Sequence, residues 1–157
     1  MKRTLSIAGI SLVLSFGAGF IGSFFTMPQI ESWYRLLEKP FFSPPDFVFG
    51  PVWSLLYFMI AISLFLFWKR GIETHYQKKI LKIFLLQILL NTLWSLVFFG
   101  MESILGGLVV ILLLLYSIFL LIKHFWHDYR ASAYLLVPYF LWVTFATMLN
   151  VTLLILN

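Results

Sequence analysis

Chemistry in this chain would come from aromatic and amide side chains. The sequence has 6 Trp, 7 Tyr and 18 Phe but no Cys, which excludes thiolate nucleophiles, thiolate metal ligands and disulfides. Three groups of these side chains recur at helical spacing, which places each group on one face of a helix. The groups are Trp53 and Tyr57; Asn91, Trp94, Ser95 and Phe98; and Trp142, Phe145, Ala146, Leu149 and Asn150.

If these three faces turn toward one another, they line a binding pocket for an apolar molecule. Aromatic walls with a few polar anchors are the usual lining of a small-molecule site. Two other interpretations stay open. Asn91 and Asn150 could serve as structural hydrogen bonds between helices, the usual role of Asn inside membranes, and aromatic stripes also occur in ordinary cores.

The usual signatures of enzymes are missing from the sequence. It contains no phosphate-binding glycine loop, dinucleotide fingerprint, zinc-protease motif or nucleophile elbow. His124 and His127 stand beside Asp128, but two His residues lack the third and fourth ligands that a zinc site needs. We therefore predict no metal site and no cofactor.

The elements that must position these residues are membrane helices. The chain is 62% hydrophobic and only 11% charged, whereas a soluble domain has about 25% charged residues. A membrane span needs about 20 mainly apolar residues, and five segments qualify. They are residues 4–27, 51–68, 80–99, 103–122 and 133–156. We predict an all-α integral membrane bundle of five transmembrane helices, forming a single domain over residues 1–157.

The positive charges predict an orientation in the bilayer. Nine Lys and Arg residues fall on one side of the five spans, and only Arg35 and Lys39 fall on the other. The positive-inside rule then places the N-terminus in the cytoplasm and the C-terminus outside. Charges gathered in short loops are typical of a membrane protein, so we predict a lipid bilayer and no nucleic acid among the partners.

Small residues follow one face of the first span. Ser11, Ser15, Gly19 and Ser23 are spaced by four, and Ala18 and Gly22 repeat the spacing beside them. Such patterns let helix backbones approach closely, either within one bundle or between subunits. Packing within the bundle is the more common arrangement.

A proline-rich loop, residues 28–50, connects the first two spans, and we call it the lid. Residues 38–53, EKPFFSPPDFVFGPVW, hold four of the six prolines in the chain, which rules out a regular helix or sheet there. We expect a short amphipathic helix before them, with Trp33, Leu36 and Leu37 facing the bundle. The prolines would then hold a stiff strap across the open end of the pocket. A plain loop with interfacial aromatics is the alternative.

Three stretches resemble the TspO/MBR family, which includes bacterial tryptophan-rich sensory proteins and the mitochondrial translocator protein. They are WYRLLEKPFFSPPDFVFGPVWSLLYFMI, NTLWSLVFFG and PYFLWVTFATMLN. The resemblance implies a five-helix bundle, usually a homodimer, in a bacterial plasma membrane. It also implies a cavity under the lid that binds porphyrins such as protoporphyrin, and benzodiazepine or isoquinoline carboxamide ligands.

The resemblance also assigns roles to individual positions. Trp53 and Trp142 correspond to tryptophans tied to light-dependent porphyrin degradation. The ligand-binding positions are Trp33, Tyr34, Trp53, Tyr57, Asn91, Trp94, Ser95, Trp142, Phe145 and Ala146. The chain departs from the family in having Leu154 where an aromatic residue is expected. It also has no Lys or Arg after Arg130, so we do not predict sterol binding through the mammalian C-terminal motif.

Three functions follow from these observations. The first is a membrane receptor or sensor that binds a tetrapyrrole. The second is an enzyme that degrades bound protoporphyrin with light and oxygen. The third is a transporter of porphyrin or lipid-like molecules, which the sequence disfavours because it shows no inverted repeat and no ionisable residue at the centre of a span.

Overall fold

The computed structural model describes residues 2–157 as helices joined by short loops, without a strand among them. Five of the helices are long and apolar enough to cross a membrane, which confirms the predicted fold. The long helices are α1 (Lys2–Ile30), α3 (Phe49–Lys69), α4 (His75–Ser95), α5 (Ile104–Asp128) and α6 (Arg130–Leu156). The short α2 (Trp33–Leu36) and a 3-10 turn (Asp46–Val48) lie in the lid, and a π-helical turn (Leu96–Gly100) continues α4.

Each span extends beyond its predicted bounds at one end or at both, mainly because polar residues continue the helices there. Helix α5 begins one residue later than predicted, and α6 ends at Leu156 as predicted. The largest consequence is at the lid. We expected the first helix to stop before Pro28, but α1 continues through that proline to Ile30. The Ser32 hydroxyl donates a 2.8 Å hydrogen bond to the Pro28 carbonyl and so satisfies one free acceptor at the helix end. The irregular part of the lid is correspondingly shorter.

The five long helices form a closed ring. Each one packs along two neighbours, and the order around the ring is α1, α3, α6, α5, α4 and back to α1. Sequence order alone would not give this arrangement, because α3 follows α1 and then contacts α6. A ring of five leaves a central space, which side chains must fill or leave open.

Side chains fill the half of the ring that lies away from the lid. Phe67 and Phe125, both fully buried, place their rings 5.1 Å apart, and Phe84 lies 6.3 Å from Phe125. Nearby, the hydroxyls of Ser63 and Ser132 each donate to the carbonyl of the other residue, at 2.9 and 3.0 Å, and join α3 to α6. This half is a solid core that holds the other half in place.

The small residues of α1 pack within the bundle. The Ser15 hydroxyl donates to the Tyr57 carbonyl on α3 at 2.6 Å. A Cβ added to Gly19 would overlap the Tyr57 ring, and one added to Gly22 would lie 3.0 Å from Ser95 Oγ on α4. These residues therefore let α1 approach α3 and α4, in agreement with the more common interpretation of the pattern.

Candidate ligand-binding cavity

A cavity of about 670 Å³ occupies the half of the ring next to the lid. Its walls come from α1, α3, α4 with its π-helical turn, and α6, and the lid closes one end. The volume lies within the range of about 300–1,000 Å³ that is usual for ligand sites. Its lining is mostly apolar, because the helices that form these walls are also the membrane spans, whose side chains are mainly apolar.

The structure gathers most of the predicted site residues around this one cavity. Eight of them line it: Tyr34, Trp53, Tyr57, Asn91, Trp94, Ser95, Trp142 and Ala146. Trp33 and Phe145 are not among the lining residues. Trp33 instead packs edge-on against Phe98, with ring centres 5.5 Å apart, and Phe145 packs between Trp142 and Phe42 at 5.6 and 6.3 Å. These two support the wall from behind.

Sequence reasoning missed the wall that α1 contributes. Phe16, Gly19, Phe20, Gly22 and Ser23 all line the cavity, although none was among the predicted site residues. The spacing of the small residues was visible in the sequence, but it indicated helix packing and not a binding surface. The same glycines do both, since a residue without a side chain leaves space beside a close helix contact.

A hydrogen-bonded chain of three side chains forms the polar floor of the cavity. The Tyr57 hydroxyl donates to Asn91 Oδ1 at 2.7 Å, and Asn91 Nδ2 donates to the Tyr139 hydroxyl at 3.0 Å. The chain joins α3, α4 and α6. The Trp53 ring stacks on Tyr57, with centres 5.5 Å apart and planes inclined by 27°. Asn91 is therefore structural, and it also lies on the cavity wall.

Asn150 has a similar structural role nearer the lid. Its Nδ2 donates to the Ile104 carbonyl at 2.9 Å, and its Oδ1 accepts a long, 3.4 Å bond from the Trp94 indole N–H. Trp94 in turn stacks on Phe98, with ring centres 5.1 Å apart. Both Asn residues thus fix the aromatic walls, because an unpaired amide would be costly inside hydrocarbon.

The lid is held to itself at one place and is fastened to the rest of the bundle at a second. The Lys39 ammonium lies 4.2 Å from the centre of the Tyr34 ring and 3.4 Å from an oxygen of Asp46. At the second place, the Glu38 N–H donates to Asn157 Oδ1 at 2.9 Å, and Asn157 Nδ2 donates to the Glu38 carbonyl at 3.2 Å. The side chain of Asn157 thus pairs with the lid backbone much as a neighbouring strand would.

Tyr34 is the residue that the lid inserts into the bundle. It is buried against Phe99, with ring centres 5.6 Å apart. Burial raises the pKa of the Tyr34 hydroxyl above its ordinary value, and the charge of Asp46 acts in the same direction, against a hydrogen bond from Ser43. The phenol therefore stays neutral at physiological pH.

One expectation for the lid was wrong. We expected Leu36 to face the bundle, but its side chain is 84% exposed. Trp33, Tyr34 and Leu37 make the packed face instead. A helix of four residues buries only one narrow face, and Leu36 falls outside it.

Comparison with known proteins agrees with this architecture. The model of the TspO/MBR family matches residues 11–156. The chain belongs to the TspO/MBR family. It is 43% identical to a protein named Tryptophan-rich protein TspO from Archaeoglobus fulgidus, over 96% of this chain and 95% of that one. A relative with the same name from Chlorobaculum tepidum is 41% identical, over 99% and 98% of the two chains. The human Translocator protein is 35% identical, over 90% and 84%.

The cavity of this TspO/MBR family member, closed by the lid at one end, opens sideways between α1 and α3. Helices α1 and α3 touch where Gly19 meets Tyr57. Nearer the lid, wall residues on both helices are exposed: Phe20 and Met27 of α1 are 65% and 70% exposed, and Ser54 of α3 is exposed too. The opening therefore lies on the side of the bundle that lipid surrounds when the helices span a membrane.

The cavity wall is nearly free of formal charge. Asp46 is the only carboxylate among the residues that line it, and it is paired with Lys39 at the lid. The arrangement has no acid–base pair for hydrolysis or proton transfer. It can bind a flat apolar molecule, stack aromatic rings on it, and offer it a few hydrogen bonds.

Proposed function

We propose that this protein is a membrane receptor for flat aromatic ligands, namely tetrapyrroles such as protoporphyrin and carboxamides of the isoquinoline type. The observation that carries the proposal is the cavity itself, which is large, mostly apolar and walled by aromatic side chains from four helices, α1, α3, α4 and α6. Membership of the TspO/MBR family supports a receptor-type role in the membrane. Apolar contact would supply most of the affinity, at about 25 cal/mol for each Å² buried.

Polar groups at the two ends of the cavity would orient such a ligand. Lys39 lies over the lid end in contact with Asp46, so an acidic group of a porphyrin could take the place of that carboxylate. Trp53, Tyr57 and Trp142 offer ring faces to the macrocycle. The Trp142 indole N–H is enclosed and without a partner in the described residues, so that residue would contribute its ring and not a hydrogen bond.

A first experiment is a protoporphyrin titration of the purified protein, followed by tryptophan fluorescence in the dark and porphyrin absorbance under light. Saturable quenching with stable absorbance supports a receptor. Absence of quenching at micromolar porphyrin, together with absence of carboxamide binding, would refute the proposal. A protein unfolded in the same detergent is the control, because it keeps the tryptophans without the cavity.

Light-dependent degradation of bound porphyrin is a second candidate function. Trp53 and Trp142, on α3 and α6, both line the cavity, so excited porphyrin would lie within reach of two indoles. The chemistry would belong to the ligand and to oxygen, with the protein supplying position. Loss of the porphyrin spectrum under light, faster with protein than in free solution, would support this function.

We also propose the orientation and assembly that the sequence predicts: N-terminus in the cytoplasm, lid and C-terminus outside, in a bacterial plasma membrane and as a homodimer. The chain has no native Cys, so single Cys substitutions at Glu38 and at Lys79 give an unambiguous test. In intact cells, an impermeant maleimide should label the first site and not the second. Cross-linking in native membranes would test the homodimer.

A further inference from the structure

Gln87 on α4 carries a hydrogen-bonding group that the structure leaves unused. The residue is fully buried, and neither its Oε1 nor its Nε2 has a partner among the described residues. A buried amide without partners is unfavourable, and hydrocarbon supplies no water to replace them. An amide kept in this state calls for an explanation beyond packing.

The surroundings of Gln87 connect it to the cavity. It lies on a narrow gap below the cavity floor, together with Ser15, Tyr57, Asn91 and Tyr139. The gap is too narrow for a water molecule, so no solvent satisfies the amide there. Tyr57 and Asn91 line both the gap and the cavity. The hydrogen bond between them therefore lies between the gap and the cavity.

Helix geometry places the unused donor beside the acceptor of that bond. Gln87 precedes Asn91 by four residues in α4, and side chains at this spacing are neighbours that can form Gln–Asn hydrogen bonds. Asn91 Oδ1 now accepts from the Tyr57 hydroxyl at 2.7 Å. If that hydroxyl turned toward the cavity, Asn91 Oδ1 would lose its donor, and Gln87 Nε2 stands one turn away.

We propose that Gln87 is a reserve donor that frees the Tyr57 hydroxyl to bind a neutral carbonyl oxygen of a ligand in the cavity. In the empty protein Tyr57 donates to Asn91. In the complex Tyr57 donates to the ligand, and Gln87 donates to Asn91 in its place. The inference rests on the proposed receptor function and adds to it a positioning residue, Gln87, behind the cavity floor.

A neutral acceptor fits this floor better than a carboxylate. The Lys and Arg residues lie outside the cavity lining, so nothing on the floor would compensate a negative charge. A carbonyl needs one good donor, which Tyr57 supplies. Aryl carboxamides carry such a carbonyl on a flat aromatic body.

The test is a double-mutant cycle with Gln87→Met and Tyr57→Phe. The probes are an isoquinoline carboxamide and its analogue with CH₂ in place of C=O. We expect Gln87→Met to weaken carboxamide binding about tenfold, which corresponds to one hydrogen bond of about 1.4 kcal/mol. The effect should be less than about twofold for the CH₂ analogue, and it should vanish in the Tyr57→Phe background, because the two residues act through one exchange.

A stability measurement separates this role from a structural one. Since the amide is unpaired in the empty protein, Gln87→Met should keep or raise the melting temperature without ligand. A buried Ser far from the cavity floor gives a control, Ser117→Ala, which should leave the affinity for both probes unchanged. A lower melting temperature for Gln87→Met, or failure of both Gln87→Met and Gln87→Leu to fold, would overturn the proposal.

The outcomes also distinguish this inference from the proposed function. Binding of protoporphyrin without binding of the carboxamide would leave a receptor but overturn the reserve donor. Binding of the carboxamide with equal losses for both probes on Gln87→Met would do the same. Absence of binding by porphyrin and carboxamide alike would refute the receptor function and the inference with it.

Discussion

The pairing of Asn157 with the lid backbone allows a quantitative prediction. Replacing Asn157 with Ala removes both hydrogen bonds to Glu38, of 2.9 and 3.2 Å. Each such bond contributes about 0.5–1.5 kcal/mol, and the exposed setting favours the lower end of that range. We therefore expect Asn157→Ala to destabilise the closed lid relative to the open lid by about 1–2 kcal/mol. This change raises the fraction of protein molecules with an open lid by roughly 5–30-fold.

The assay is the rate at which bound protoporphyrin leaves when an excess of empty acceptor, such as apomyoglobin, is mixed with the complex. If the ligand leaves past the lid, Asn157→Ala should raise that rate by the same factor, while the dark spectrum of the complex stays unchanged. Thr152→Ala, which removes a hydroxyl bonded only to its own helix, is the matched control. An unchanged release rate in Asn157→Ala would refute the lid as the route of exit and direct attention to the opening between α1 and α3.

Three further predictions concern packing and light. Gly19→Ala should destabilise the bundle by the cost of overpacking, about 1–3 kcal/mol, and so lower the melting temperature, whereas Gly17→Ala, where an added Cβ meets nothing within 4 Å, should keep the melting temperature or raise it slightly. Trp142→Phe should slow the light-dependent loss of bound porphyrin and leave dark quenching by porphyrin saturable; an unchanged rate of loss would remove that residue from the reaction. Ser63→Ala removes one of the two interhelical hydrogen bonds to Ser132, so it should destabilise the bundle by about 1 kcal/mol; thermal melting in detergent would show it, and wild-type stability would mean that this bond contributes nothing to the packing of α3 on α6.

The membrane helices were predictable because length and hydropathy set them directly. Hydrocarbon allows few polar side chains, so each span stands out over about 20 residues. Their ends were less predictable, since polar residues such as Asp128 and Arg130 belong to the helices although their hydropathy is not that of a membrane span. The course of α1 through Pro28 shows the same limit, because a proline near the end of a helix disturbs only the last turn.

The cavity walls on α3, α4 and α6 were predictable from helical spacing, but the wall on α1 was not. In a sequence, aromatic and amide residues indicate stacking or hydrogen bonding with a ligand. Gly19 and Gly22 have no side chain that could indicate a ligand contact. Trp33 and Phe145 show the opposite case, in which a residue of the right type lies one layer behind the wall. Only the order of helices around the ring decides which side chains reach the interior.

The unpaired state of Gln87 was also beyond sequence reasoning. A lone Gln in a span predicts an interhelical hydrogen bond, and the structure instead shows an amide without a partner. Asn91, one turn from Gln87, is bonded instead to Tyr57 and Tyr139 of two other helices. Pairing choices of this kind are set by three-dimensional neighbours and not by spacing along one helix.

The sideways opening between α1 and α3 changes what a binding constant would mean for this protein. A site open to lipid equilibrates with ligand dissolved in the bilayer, and a hydrophobic ligand is far more concentrated there than in water. Half-saturation would then follow the number of ligand molecules per lipid, so that doubling the lipid at fixed total ligand would lower occupancy without any change in the site. A receptor built in this way reports the load of its ligand in the membrane.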